Sequence, residues 1–198
     1  MNVGTTGRRI YIGKLAGTSV FDPLGEKVGV IHDVVVTFRL NSTANVIGFV
    51  VEVGPRKRVF LPFTRVTAIE SGSVITTGLL NIRSFNQRPV ETLVITELFD
   101  REVTMNDGSG VVKILDVAMQ QRRPRDWIIS TLHVQRVRTT ALGFKRGGTT
   151  MTVRVDEVSS LLKTDSNQAA TALIQHTEDM KAADLADFLH DLPAERQL

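Results

Sequence analysis

The run Leu15–Val36, LAGTSVFDPLGEKVGVIHDVVV, decides the fold because the chain repeats it: Leu98–Ala118, LFDREVTMNDGSGVVKILDVA, lies over it without a gap. At a constant offset of 83, Val20 falls on Val103, Gly25 on Gly108, Ile31 on Ile114, Asp33 on Asp116 and Val34 on Val117. Solenoid units repeat every 20–50 residues or so, whereas a period of this size suits a small domain. The spacing therefore predicts two tandem copies of one fold.

Outward from that run, 28–38, 46–53 and 59–63 are dense in β-branched and aromatic residues at strand length. Asp22-Pro-Leu-Gly25, Asn41-Ser-Thr43 and Gly54-Pro-Arg-Lys57 supply the turns between them. Thr64–Ile69 reads as a turn or one-turn helix and Val74–Thr77 as a last strand; the second copy repeats the plan at 111–118, 127–134 and 151–155, followed by Asp156–Leu162. Short strands with no helix between them predict an antiparallel sheet that curls into a small barrel. Pairing is expected mainly within each copy, with the copies related by an approximate two-fold. The core is expected from Val30, Val34, Phe49, Val51 and Phe60 in the first copy and Val112, Ile114, Val117, Ile129 and Leu132 in the second.

The residues Leu15–Val20, Asp22–Gly25, Val28–Val34, Gly48–Val51 and Val59–Pro62 together resemble the PRC-barrel domain of the photosynthetic reaction-centre H subunit and of the ribosome maturation factor RimM. The second copy is similar but worn: it keeps Leu98, Val103, Gly108, Val112 and Asp116-Val117, and replaces the Phe-Leu-Pro strand by Val153-Arg-Val155. The resemblance implies a mainly β chain of two small PRC-type antiparallel barrels in tandem, over 10–90 and 91–163, with a short C-terminal α-helical segment at 164–198.

Little in the sequence points to catalysis. Asp33 and Asp116 recur, but one carboxylate per copy is poorly placed for paired acid/base work, and each reads as accepting backbone hydrogen bonds where a strand ends in a turn. His32, His133, His176 and His190 are scattered singly, without the spacing of metal ligands. Gly72, Gly108-Ser-Gly110 and Gly147-Gly148 are not followed by the residues of a phosphate loop. With no cysteine, disulfides and thiolate catalysis are excluded, in keeping with a reducing, cytoplasmic setting. No apolar run reaches the ~18 residues a membrane-spanning helix needs. No catalytic, cofactor-binding or metal residue is expected.

The net charge of +3 hides a division: 1–97 and 98–163 each carry 11 basic against 7 acidic residues, and 164–198 carries 2 against 7. Basic clusters stand at Arg56-Lys-Arg58, Arg122-Arg-Pro-Arg125, Arg136 with Arg138, and Lys145-Arg146. Such clusters can contact phosphates, but each falls at a turn or on alternate strand positions, where exposed charge also protects sheet edges. Trp127 beside one of them precedes Ile128-Ile129 as a core residue would.

From Ser166 the apolar period lengthens to that of a helix, with Ala169, Ala172 and Leu173 in one stripe and Met180, Ala183, Leu185, Phe188, Leu189 and Leu192 in a second. That second stripe needs a partner, so 167–192 is expected to be helical and to pack on a barrel or on another chain. Met180–Arg196 resembles the start of the cytosolic N-domain of MgtE-type magnesium transporters, and tandem PRC-barrels before that domain and paired CBS modules are an actinobacterial arrangement; Glu91–Val103 fits it too. The resemblance implies magnesium chemistry in a longer protein. Asp184, Asp187, Asp191 and Glu195 offer hard oxygen ligands, but their spacing is equally that of a solvated helix face, and no metal is assigned to them.

The expected function is that of a non-enzymatic, cytoplasmic interaction and regulatory segment of an MgtE-related magnesium-homeostasis protein, its barrels docking a protein partner or another copy. The alternative is an RNA- or ribosome-associated adaptor resembling RimM.

Overall fold

The computed structural model describes residues 8–38, 44–78, 83–139, 145–159 and Leu161. Within them twelve strands form one strongly curled sheet: β1 (Arg9–Tyr11), β2 (Ser19–Phe21), β3 (Lys27–Thr37), β4 (Asn45–Gly54), β5 (Lys57–Pro62), β6 (Val66–Glu70), β7 (Ser73–Thr76), β8 (Glu91–Leu93), β9 (Glu102–Thr104), β10 (Val111–Arg123), β11 (Asp126–Thr139) and β12 (Lys145–Arg154). Turn chemistry sets several joints. The Asp22 carboxyl accepts from the N–H groups of Leu24 and Glu26 at 2.9 and 2.8 Å, tightening the β2–β3 hairpin. A 3-10 turn at Phe63–Arg65 follows β5, and another at Val155–Glu157 follows β12. The second is closed by the Glu157 carboxylate, which accepts from the Arg154 N–H at 2.8 Å.

The hydrogen-bond ladder repeats at the same offset as the sequence. Ser19 and Val20 face Val30 and Gly29 across β2–β3, and Glu102 and Val103 face Lys113 and Val112 across β9–β10. Ile31, Asp33 and Val34 face Val51, Val50 and Phe49, while Ile114, Asp116 and Val117 face Val134, His133 and Leu132. Even the loop bonds correspond: Gly17 N–H to Ile31 O and Ile31 N–H to Thr18 O recur as Asp100 N–H to Ile114 O and Ile114 N–H to Arg101 O, all at 2.8–2.9 Å. The halves meet where β4 runs antiparallel to β11, at Val46–Trp127 and Asn45–Ile128, continued by the Ile129 N–H donating to Ala44 O. Asn45 and Ile128 are themselves equivalent by the offset, so a local two-fold passes between them.

Pairing is not confined within each half. β1 pairs with β10 and β8 pairs with β3, so each half lends its first strand to the other. The pairing is mainly local, as expected, since the long ladders β3–β4, β10–β11 and β11–β12 each lie within one half, and the exchange is tolerated because doubling a loop adds only about 0.6 kcal/mol. A three-residue ladder outweighs that, and a carboxyl clasp reinforces it. Asp33, fully buried, accepts from the N–H groups of Val34, Ile95 and Thr96 at 2.7, 2.8 and 2.9 Å and from the Thr96 hydroxyl at 2.7 Å. In the other half Asp116 accepts from the N–H groups of Val117 at 2.7 Å and Gly13 at 2.9 Å. Gly13 and Thr96 are equivalent by the offset, so the clasps are reciprocal. A Cβ on Gly13 would lie 2.8 Å from an Asp116 oxygen, so a side chain there would have to displace that carboxyl. Both aspartates sit in mid-strand beside a register shift, between Ile31 and Asp33 and between Ile114 and Asp116. They do accept backbone hydrogen bonds, but they do not end strands: the bulge turns each carboxyl toward the partner half.

The halves diverge after β11. Gly48 faces Pro62, whereas its equivalent Thr131 faces Arg154, so the β11–β12 hairpin is longer and the offset grows from 83 to 92. Val153 and Val155 thereby take the places of Leu61 and Phe63, and all four are buried. In the first half the hairpin β6–β7 returns to lie parallel to β2. Among the described residues of the second half, a single bridge, Met105–Val158, stands there. The predicted helical segment, with its stripes, His176, His190 and acidic residues, lies outside the described residues.

One continuous core spans both halves. Val34, Phe49, Val51, Val112, Ile114, Val117, Ile129 and Leu132 are buried as expected. Val30 and Phe60 are only half-buried. Both lie on the opposite sheet face, where Phe60 covers Gly48 and stacks on Phe85 at 6.1 Å. Phe49→Ala should therefore cost about 4 kcal/mol and Phe60→Ala about 1, read from urea midpoints. Asp33→Ala strands buried donors and should cost about 3 kcal/mol or more, against about 1 for the half-exposed Asp116→Ala; equal losses would show that the clasps contribute alike.

Candidate binding surface

The basic clusters do not share one environment. Arg58 lies 3.7 Å from Glu52, which His32 also approaches at 4.0 Å. Arg136 donates to the Ser109 carbonyl at 3.2 Å. Elsewhere Lys113 pairs with Asp100 at 2.6 Å, and Arg154 with Asp156 at 2.6 Å. Arg56 and Lys57 are exposed at the β4–β5 tip, as are Arg122, Arg123 and Arg125 at the β10–β11 turn. The exchanged strand β1 brings Arg8 and Arg9 to the same corner: Arg9 faces Gln120, and the Gln121 N–H donates to Arg8 O at 3.1 Å. Nothing local in the sequence joins Arg8 and Arg9 to this turn; only the swap of β1 does.

Beneath the corner, at the junction of the halves, lies a groove of about 400 Å³ lined by Phe63, Val66, Ile69 and Trp127 from the core side and by Arg8, Thr67, Gln121 and Arg125 at the rim. Phe63 binds the groove to the core, its ring 5.3 Å from Phe49 and 5.7 Å from Trp127. Trp127 is 5% exposed, a core residue as the sequence suggested, and lines the groove. Pro124 and Arg125 form the turn above it, with Arg125 at φ +65°; Pro55 and Arg56 form a similar one at the β4–β5 tip, with φ +62°. Both arginines occupy the left-handed region that glycine or asparagine normally fills.

The residues singled out as potential catalysts are not gathered here. Asp33 and Asp116 are engaged in the clasps, His133 pairs in register with Asp116, and His32 faces Glu52. Among the described residues no group of three or more His, Asp or Glu could hold a metal ion. Among the described residues Asp107 and Arg154, both at exposed turns, have displaced titrations. Asp107 lies below the usual carboxylate value because Ser109 hydrogen-bonds to it, and Arg154 lies above the usual guanidinium value because Asp156 does. No helix among the described residues is long and apolar enough to cross a membrane.

Two family models match successive stretches of the chain. Residues 7–79 match the PRC-barrel domain, and residues 92–164 match the Actinomycetes SH3 domain. No curated protein matches. The second stretch, expected as another PRC-barrel, thus matches a different model, and neither match reaches the MgtE-like element at 180–196. The lengthened β11–β12 hairpin is the structural departure, among the described residues, that accompanies the change of model. Residues 7–79 carry a PRC-barrel domain, set in a mainly β, strongly curled sheet.

Proposed function

We propose that this chain is a non-enzymatic interaction segment, built of two PRC-type units, that offers a rigid β surface to a second copy or to a protein partner. The observation that carries the proposal is the outer edge of β12. In the first half the equivalent strand β5 is capped by the chain itself: Ser84 bridges Val59, and the Phe85 N–H donates to Arg58 O at 2.7 Å. By the ladder equivalence Thr150 stands where Arg58 stands, opposite Gln135 as Arg58 is opposite Glu52. Among the described residues β12 pairs only with β11, leaving up to ten residues of edge to accept another strand. The engagement of both repeated carboxylates in backbone contacts also favours a scaffold over a catalyst. The regulatory part of the proposal, a link to magnesium homeostasis, rests on the likeness of Met180–Arg196 to MgtE N-domains.

Sedimentation equilibrium tests the reading. The chain should self-associate with rising concentration, and Thr150→Pro, which deletes an outward N–H on an edge strand, should sediment as monomer with an unchanged melting temperature. A chain that stays monomeric throughout rejects a second copy as the occupant of β12. A Thr150→Pro variant that associates like the parent places the contact elsewhere.

A further inference from the structure

We infer that the arginine corner and the Trp127 groove form a docking site for an acidic peptide segment bearing an apolar side chain. The inference rests on the interaction reading above and gives it a second surface and a partner chemistry. Three independent features converge on it.

The first is uncompensated charge. Arg8, Arg9, Arg122, Arg123 and Arg125 are all exposed, and among the described residues none of them has an ion-pair partner, whereas Arg58, Lys113 and Arg154 each have one. The one acidic residue at the turn is Asp126, in register with Arg123. Arginine forks bind carboxylates through paired N–H groups, so such a cluster favours a segment rich in Asp and Glu.

The second is strain. Arg125 holds φ at +65° in a turn where glycine would fit without penalty, and its side chain lines the groove rim. Arg56 shares this conformation at the other tip, and what sets Arg125 apart is that its strained turn brings the side chain to the groove.

The third is the groove itself. Phe63, Val66, Ile69 and Trp127 give it an apolar floor beside the guanidinium groups, with Thr67 and Gln121 as polar rim. That combination accepts a Leu or Phe side chain with carboxylates on either side. It suits a nucleic acid less well. Phe63 and Trp127 are each 5% exposed, so neither ring offers a free face on which a base could stack.

The chain's single tryptophan, Trp127, reports on the site directly. The probe is a fluorescein-labelled synthetic peptide of about ten residues, a central Leu-Phe pair flanked by Asp and Glu, titrated into the full chain and read by anisotropy; an unlabelled copy is read by Trp127 emission. Binding with a change in Trp127 emission is expected. Affinity should fall at least about tenfold in Arg125→Gly, which keeps the turn, and further in Arg8→Ser/Arg125→Gly, while Arg56→Gly at the other Pro-Arg tip leaves it unchanged. Replacing the Leu-Phe pair by Gly-Gly should also weaken it about tenfold.

Equal losses from Arg56→Gly and Arg125→Gly would reduce the effect to net charge and overturn the site. So would tighter binding of a single-stranded RNA of equal charge with a steep salt dependence, which would favour the nucleic-acid class. Absence of peptide binding in a chain that self-associates through β12 would refute this inference alone. Absence of both would remove the interaction reading itself.

Discussion

A carboxyl group buried from solvent holds this molecule in its shape. Asp33 is fully buried and both of its oxygens accept two hydrogen bonds, three from backbone N–H groups and one from a hydroxyl, and the donors Ile95 and Thr96 lie at the start of the other half. Burying such a group is costly unless every acceptor site is filled, so the contact tolerates little play. It fixes the 94–98 turn, the turn places β8 against β3, and the reciprocal contact of Asp116 with Gly13 places β1 against β10. The antiparallel meeting of β4 and β11 at the local two-fold closes the assembly. The two halves are thus interlocked, and one core runs through both.

That interlock was only partly legible in the sequence. The offset of 83, the main strand runs and the equivalence of Asp33 with Asp116 could be read directly because the repeated residues are the ones the ladder needs. The exchange of β1 and β8 could not. Each is three residues long, too short to show a period, and each finds its partner through tertiary contact. The role of Asp33 was hidden by the bulge: around His32 the alternation breaks, so that Asp33, Val34, Val35 and Val36 are all buried in succession and no two-residue rhythm assigns a face. The same break reversed the reading of Val30. Phe60 was misplaced because Gly48, its diagonal neighbour across β4–β5, opens a slot on the outer face that a hydrophobicity pattern does not register.

The candidate surface was legible only as its parts. Arg122, Arg123 and Arg125 stand together in the chain, but the corner needs Arg8 and Arg9, and its groove needs Phe63 and Ile69; the strand exchange and the local two-fold bring these together. The charge pattern of the sequence and the geometry of the fold therefore meet at the junction of the halves. Among the described residues the chain caps the β5 edge for itself while β12 pairs only with β11, and these two strands hold corresponding places in the repeat, the second after a lengthened hairpin.

The claim that the carboxyl clasps weld the halves into one cooperative unit is tested most directly by native-state amide hydrogen exchange at Ile95 and Thr96. If the account holds, both amides exchange only through global unfolding, as slowly as that of Phe49 in the centre of β4, and their opening free energy falls with denaturant along the same line. Exchange of Ile95 and Thr96 through a cheaper, local opening while Phe49 stays protected would contradict it, since the halves would then part without the core of either unfolding.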